Sequence, residues 1–205
     1  MMRKISLEKL DLLFEAIAKS ETLYMPTDTA NGPKYVQWKG GVKYSDALNT
    51  VRSAKDFFFP QTENLMDFRM EGKSIEVIDT RKECENFVVF GVRGCDAKSF
   101  DILDRVFLAN PVDTYYKNRR EHATIVSVAC TKPQESCFCA TFDIDASNPD
   151  GDVVCYKTND ALYMRAKTDK GRDGKEDLPT FVGAIAVMRF GSLPGGLQEE
   201  RLHNN

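Results

Sequence analysis

The sequence predicts an α/β domain, with α+β as the neighbouring class: a small mixed sheet built on a central βαβ unit, with flanking helices and a hairpin. Two apolar runs carry that expectation. Asn86–Val92 (NFVVFGV) is nearly continuous in apolar residues, as in a strand covered on both faces. Thr124–Ala129 (TIVSVA) is a second such run, rich in β-branched residues. Between them, residues 97–108 place Phe100, Leu103, Phe107 and Leu108 at helical spacing. Strand, helix and strand in that order form a parallel unit with a right-handed crossover.

The flanking elements follow in order. Residues 5–19 read as an amphipathic helix, with Ile5, Leu10, Leu13, Phe14 and Ile17 on one stripe and Ser6 as N-cap. Residues 23–26 and 34–38 read as short strands joined by a turn at Asn31-Gly32-Pro33. The aromatic stretch 56–68 contains Pro60, which blocks a regular element, so a buried loop leading into a short helix is expected. Arg93–Asp96 reads as a turn, with Asp96 capping the helix that follows and Asn110-Pro111 ending it. Residues 114–121 suit a short polar helix. Residues 152–158 and 161–168 suit a hairpin turning at Asn159-Asp160. These elements place one α/β domain at 1–168 and a linker with an atypical, disordered tail at 169–205.

The 205 residues are 42% hydrophobic and 29% charged, the composition of a soluble globular chain. A net charge of -3 gives no general pull toward nucleic acid or anionic lipid. No apolar run approaches the roughly 20 residues that cross a bilayer. Glu8, Asp11 and Glu15 interrupt the apolar core that a signal peptide would need. The expectation is a cytoplasmic protein with no membrane or nucleic-acid partner. Disulfides are uncommon in that compartment, so six cysteines point to metal binding or redox chemistry.

Four of the six belong together. Cys95 and Cys130 each follow one strand of the βαβ unit, and parallel strands end on the same sheet edge. That edge is where α/β sheets place their ligands. Cys137 and Cys139 lie in the loop leaving the second strand, long enough to fold back over it. Four thiolates suit an iron–sulfur cluster or a structural zinc. The spacing, one C-x-C pair and two separated single cysteines, makes a poor zinc knuckle. Cys84 precedes the first strand, roughly 20 Å of extended chain from Cys95, and is excluded. Cys155 lies inside a hairpin strand, where a free cysteine is commonly a core residue.

Around these four, Phe138 and Phe142 would shield one side of the site and Phe90 the other. Arg93 and Lys98 flank Cys95 and would offset an anionic cluster; as surface side chains they would simply be solvated. Tyr115, Tyr116, Lys117, Arg119 and Arg120 read as either a docking face for an acidic partner or a solvent-exposed helical turn. The two histidines, His122 and His203, fall in no catalytic or metal motif, and no Walker or G-x-G-x-x-G signature is present. No catalytic residue is assigned.

Several segments together resemble a known family: Gly91-Val-Arg-Gly-Cys-Asp96, Leu103–Leu108, Tyr115–Glu121, Val128-Ala-Cys-Thr131, Cys137-Phe-Cys-Ala140 and, upstream, Lys55–Glu63. In this order they resemble the N-terminal domain of the 4Fe-4S dicluster proteins. That family includes the β subunits of cytoplasmic nickel–iron hydrogenases and one of the subunits of anaerobic sulfite reductase. The resemblance spans roughly residues 5–170. It implies an electron-transferring component of an anaerobic oxidoreductase complex, with one [4Fe-4S] cluster on Cys95, Cys130, Cys137 and Cys139 and with flavin or iron–sulfur proteins as partners. One departure stands out: the ferredoxin-type C-x2-C-x2-C-x3-C-P runs that usually follow in such proteins do not occur in this sequence. The competing expectation is a structural zinc or subunit-interaction module without redox activity.

Overall fold

Four mutually parallel strands fix the polarity of a seven-stranded sheet. The computed structural model describes residues 2–172, excepting the side chains of Lys82, Glu83 and Arg172. In chain order the main sheet uses β1 (Met2–Ser6), β2 (Thr22–Thr27), β3 (Lys34–Gln37), β6 (Phe87–Val92), β7 (Ala123–Val128), β8 (Val153–Lys157) and β9 (Ala161–Ala166). Their spatial order is β1-β9-β8-β7-β6-β2-β3. β2, β6, β7 and β8 are parallel neighbours, while β3, β9 and β1 pair antiparallel at the two margins. A separate two-stranded sheet joins β4 (Met66–Glu71) and β5 (Ser74–Asp79). The helices are α1 (Leu10–Ala18), α2 (Gly94–Phe107), α3 (Thr114–His122) and the single turn α4 (Asp169–Arg172).

The alternation within β6 explains its unbroken apolar run. Val88 and Phe90 face one layer, packed with Leu13, Phe14 and Ile17 of α1. Val89 and Val92 face the other, packed with Ala97 and Phe100 of α2 and Tyr116 of α3. Both faces of the strand are therefore buried, which demands apolar residues at every position. Phe14 meets Phe90 edge-on, with ring centroids 5.1 Å apart, and Tyr44 approaches Phe90 likewise at 5.3 Å. Each such buried ring contributes about 2–3 kcal/mol.

Several expectations shift in detail. Met2–Ser6 is an edge strand paired with Ala161–Arg165, and α1 begins only at Leu10, after a 3-10 turn at Leu7–Lys9. Ser6 precedes that turn but makes no side-chain cap. Residues 56–68 do not lead into a helix: a 3-10 turn at Ala54–Phe57 is followed by β4. The β4–β5 hairpin turns at Gly72-Lys73, with Gly72 at φ +61, and leaves Phe68, Met70, Ile75 and Val77 exposed. Asp169–Arg172 is a helical turn rather than linker. The expected linker and tail from 173 onward lie outside the described residues.

One glycine sets the exit of β6. The β6–β7 register shifts between Phe90 and Val92, so Gly91 forms a bulge at φ +85. A Cβ there would stand 2.8 Å from Pro26 Cδ and 3.1 Å from Tyr44 Cε2. Both the backbone conformation and the space exclude a side chain. Gly91→Ala is expected to cost about 2 kcal/mol or more through strain and overpacking, read as a lowered Tm in thermal unfolding.

At the opposite end of the sheet, Glu21 lies between α1 and β2 and is 8% exposed. Burial pushes its carboxyl up to about 7 from 4.5, and Lys170 pulls weakly the other way. The fold therefore favours the protonated acid. Stability is full below about pH 4.5 and falls as pH rises through about 7, by at most about 3 kcal/mol. Glu21→Gln removes that loss. It is expected to raise the Tm at pH 8 relative to the parent protein and to leave it unchanged near pH 4.5.

Candidate metal centre

The Gly91 bulge delivers the chain to the carboxyl edge of the sheet in a particular orientation. Arg93 is extended (φ -87, ψ 157) and precedes the first residue of α2, so the helix starts at Gly94 and not after Asp96. Cys95 therefore stands in the first turn of a fourteen-residue helix, where backbone N–H groups favour negative charge. Gly94 lets that turn approach the loop beyond Cys130: a Cβ would meet Ile144 Cγ2 and Pro149 Cβ, each at 3.4 Å. Asp96, expected as the N-cap, instead accepts from Ser53 Oγ at 2.5 Å and from the Ala54 amide at 3.4 Å. It clamps the aromatic segment 54–59 onto the helix start.

Cys130 sits just past β7, its amide donating to Ala146 O at 2.8 Å. The loop between them is organised by its own backbone. The Cys137 amide donates to Gln134 O at 3.0 Å, and the Gln134 amide donates to Cys137 Sγ at 3.2 Å. A 3-10 turn covers Cys139–Phe142, and the Ile144 amide returns to Cys139 O at 3.0 Å. Asn49 ties this loop to the one after β3, donating to Gln134 Oε1 at 2.7 Å and Ser136 Oγ at 3.3 Å.

These local structures bring the thiols within electrostatic reach of one another. Burial pushes the Cys95 thiol up, and Asp96, Cys139 and Cys130 add to that. Burial also raises Cys130; Arg93 opposes it by charge and hydrogen bonding, while Cys139 and Cys137 push upward again. Cys95 is thus within range of Cys139 and Cys130, and Cys130 within range of Cys139 and Cys137. Cys95, Cys130 and Cys139 are half-buried and Cys137 is exposed. Among the described residues, no three Cys, His, Asp or Glu side chains are grouped closely enough to hold one metal ion.

Arg93 is not a solvated surface charge. It is 8% exposed, and its Nη2 donates to Asp46 O at 2.9 Å and Ala47 O at 3.2 Å. Its Nε is buried without a partner. Lys98 pairs with Asp101 at 3.2 Å on the surface of α2. Phe138 and Phe142 meet edge-on at 5.5 Å, but both are more than half exposed. They rim a cavity of ≈ 430 Å³ that Tyr35, Arg93, Cys95 and Asp96 also line. Phe90 does not shield the site; it belongs to the core beneath α1. Tyr44 packs on Phe90 and Phe14; burial pushes its phenol up to about 12, Arg93 opposes, and Cys155 and Cys130 add to the rise. The loop carrying Tyr44, Asp46 and Ala47 bears no metal-site motif, so sequence reasoning had no signal for its role.

The other two cysteines differ in position: Cys155 pairs with Val128 beside the end of β7, and its carbonyl accepts from the Ala129 amide at 2.9 Å. Cys84 lines a different cavity, at the amino ends of the parallel strands, and Cys155 is fully buried in β8. The expected docking face on α3 is largely spent internally. Tyr116 donates to Asp104 Oδ1 at 2.6 Å, and Arg120 grips the same carboxylate with two bonds of 2.8 Å while lying over Phe58 and Phe100. Arg119 pairs with Glu63, and Tyr115 donates to Leu65 O at 2.7 Å. Lys117 keeps only a loose pair with Glu121. His122 bonds Asn118 O through Nδ1, away from the thiols. His203 lies outside the described residues.

Comparison with known proteins gives one informative relative. The chain is 32% identical over 128 residues to the β subunit of sulfhydrogenase 2 from Pyrococcus furiosus. The match covers 62% of this chain but 36% of that protein, so the chain spans little more than a third of its relative. No family model matches the sequence, and no solved structure does. No helix among the described residues is long and apolar enough to cross a membrane.

The arrangement makes a direct prediction about the metal-free protein. Mild oxidation is expected to form disulfides only within the set Cys95, Cys130, Cys137 and Cys139, as mapped by peptide mass spectrometry. A Cys84–Cys95 link would contradict the geometry.

Proposed function

We propose that this chain is a redox component of a hydrogenase-type complex, in which Cys95, Cys130, Cys137 and Cys139 hold one [4Fe-4S] cluster. The observation that supports the reading is the placing of Cys95 in the first turn of α2 and of Cys130 just past β7, two chain segments that leave the same edge of the sheet, with Cys137 and Cys139 in the loop beyond. The likeness to a sulfhydrogenase β subunit supports it. When bound, such a cluster supplies one-electron transfer.

The protein's own residues have definable tasks. The four thiols would be the ligands, contributed by the start of α2, the end of β7 and the loop beyond. A cubane spreads its ligands over four metal atoms, and this suits thiols that are neighbours without crowding around a point. Arg93 holds a fixed positive charge beside Cys130 and offsets the negative charge that the thiolates bring. The Gln134 amide hydrogen-bonds Cys137 Sγ, an interaction that raises a cluster's reduction potential. Phe138 and Phe142 form an apolar rim on which a redox partner, a flavin or iron–sulfur protein, would dock.

A structural zinc site is the second reading. It needs donors gathered on a single ion, and the described side chains are not so grouped.

Anaerobic purification followed by metal and acid-labile sulfide analysis separates the two. About four iron and four sulfide per chain are expected. Cys130→Ser is expected to lose most of the iron, and Cys84→Ser to retain it. Zinc without sulfide would refute the electron-transfer reading.

A further inference from the structure

The β4–β5 hairpin carries an apolar face that nothing in the domain covers. β4 is exposed at every position and β5 at its first four. The cross-strand register separates two faces: Phe68 pairs with Val77 and Met70 with Ile75 on one, and Arg69 pairs with Glu76 on the other. On the apolar face Phe68 is 64% exposed, Met70 70%, Ile75 62% and Val77 59%. Neither buried core includes a side chain of the hairpin. Its base is fixed on α3. Tyr115 donates to Leu65 O at 2.7 Å, Arg81 Nη1 to Thr114 Oγ1 at 2.7 Å, and Asn118 Nδ2 to Arg81 O at 2.9 Å. A two-stranded sheet with a bare apolar face is marginal in water, and a contiguous exposed apolar patch marks an interface.

We propose that two copies of this chain pair through these faces as a closed, two-fold dimer. A two-fold axis running along the strands lays β4 of each copy over β5 of the other. Phe68 then meets Val77 of the partner subunit, and Met70 meets Ile75 of the partner subunit. Each row sets a longer side chain over a shorter one, so the face is complementary to itself.

Charge and area both suit a second copy. Arg69, Glu71 and Glu76 alternate onto the opposite face, and Asp79, at the base, is gripped by Arg81. Pairing the apolar faces therefore brings no unpaired like charges together, and a partner recognised through charge finds little to hold there. Homodimer interfaces are the more apolar class. With Met66, which is 46% exposed beside them, these side chains leave about 600 Å² bare per copy, so full contact covers about 1,200 Å². That clears the roughly 1,000 Å² expected of a specific association.

Sedimentation velocity on the full-length protein, kept anaerobic and reduced so that its thiols stay unlinked, tests the pairing. At tens of micromolar the mass is expected near twice the chain's 23.1 kDa, falling to the monomer on dilution. Ile75→Lys and Ile75→Glu, both at an exposed position, are each expected to weaken the dimer at least about tenfold. Mixed together, the two variants are expected to associate more tightly than either alone, because opposite charges then lie within about 10 Å across the interface. That recovery separates lost pairing from a damaged hairpin. Arg69→Ala, on the other face, is expected to leave the dimer intact. A monomer at every concentration would overturn the proposal and leave the face to a different protein. A mass that climbs past the dimer, an undiminished dimer in Ile75→Lys, a mixture no tighter than its components, or loss of the dimer in Arg69→Ala would each overturn it as well.

Discussion

The parallel pairing of β6 with β7 is the constraint on which the rest of the molecule depends. Because Phe87 pairs with Ala123 and Phe90 with Val126, both strands run out at the same edge, and the residues that follow them start their loops side by side. An antiparallel pairing would put Cys95 and Cys130 at opposite ends of the sheet. The pairing is held by burial on both faces, α1 covering one and α2 with α3 the other. The bulge at Gly91 then turns the end of β6 so that Arg93 points inward beneath the edge while Cys95 enters the first turn of α2. Core packing and the cysteine site are thus consequences of one register.

The parts of this arrangement that rest on local chemistry were legible in the sequence. The doubly buried strands, the crossover helix, the hairpin at Asn159-Asp160, the distance of Cys84 from Cys95 and the burial of Cys155 in a strand all follow from periodicity and position. The parts that rest on long-range partners were not. Met2–Ser6 has no strand pattern of its own and is a strand because Ala161–Arg165 offers an edge. The β4–β5 hairpin did leave a signal, the alternation of Met66, Phe68 and Met70 across Gly72-Lys73 from Ile75 and Val77, but the neighbouring aromatic cluster and Pro60 drew the reading toward a loop. Asp96 looked like a cap because its carboxylate precedes an apolar helical stripe, yet tertiary structure uses it to hold Ser53.

Charge is handled differently at the two ends of the sheet. At the cysteine edge, a buried arginine, a helix amino terminus and a backbone N–H surround groups that must carry negative charge to bind metal. At the other edge, a carboxyl is buried without an adequate partner and prefers to stay protonated. The first environment stabilises anions and the second disfavours one. The basic residues of α3, which in sequence resemble an exposed recognition face, contribute to neither. Arg120 is consumed by Asp104, Phe58 and Phe100, where it braces α3 against α2.

In the proposed site, four thiols from two strand ends and one loop share a single multi-iron cofactor. X-ray absorption at the iron edge of anaerobically purified protein tests it most directly. An all-sulfur coordination shell with about four sulfur atoms per iron and a short iron–iron vector is expected. A first shell of nitrogen and oxygen donors, or iron with no metal neighbour, would contradict it.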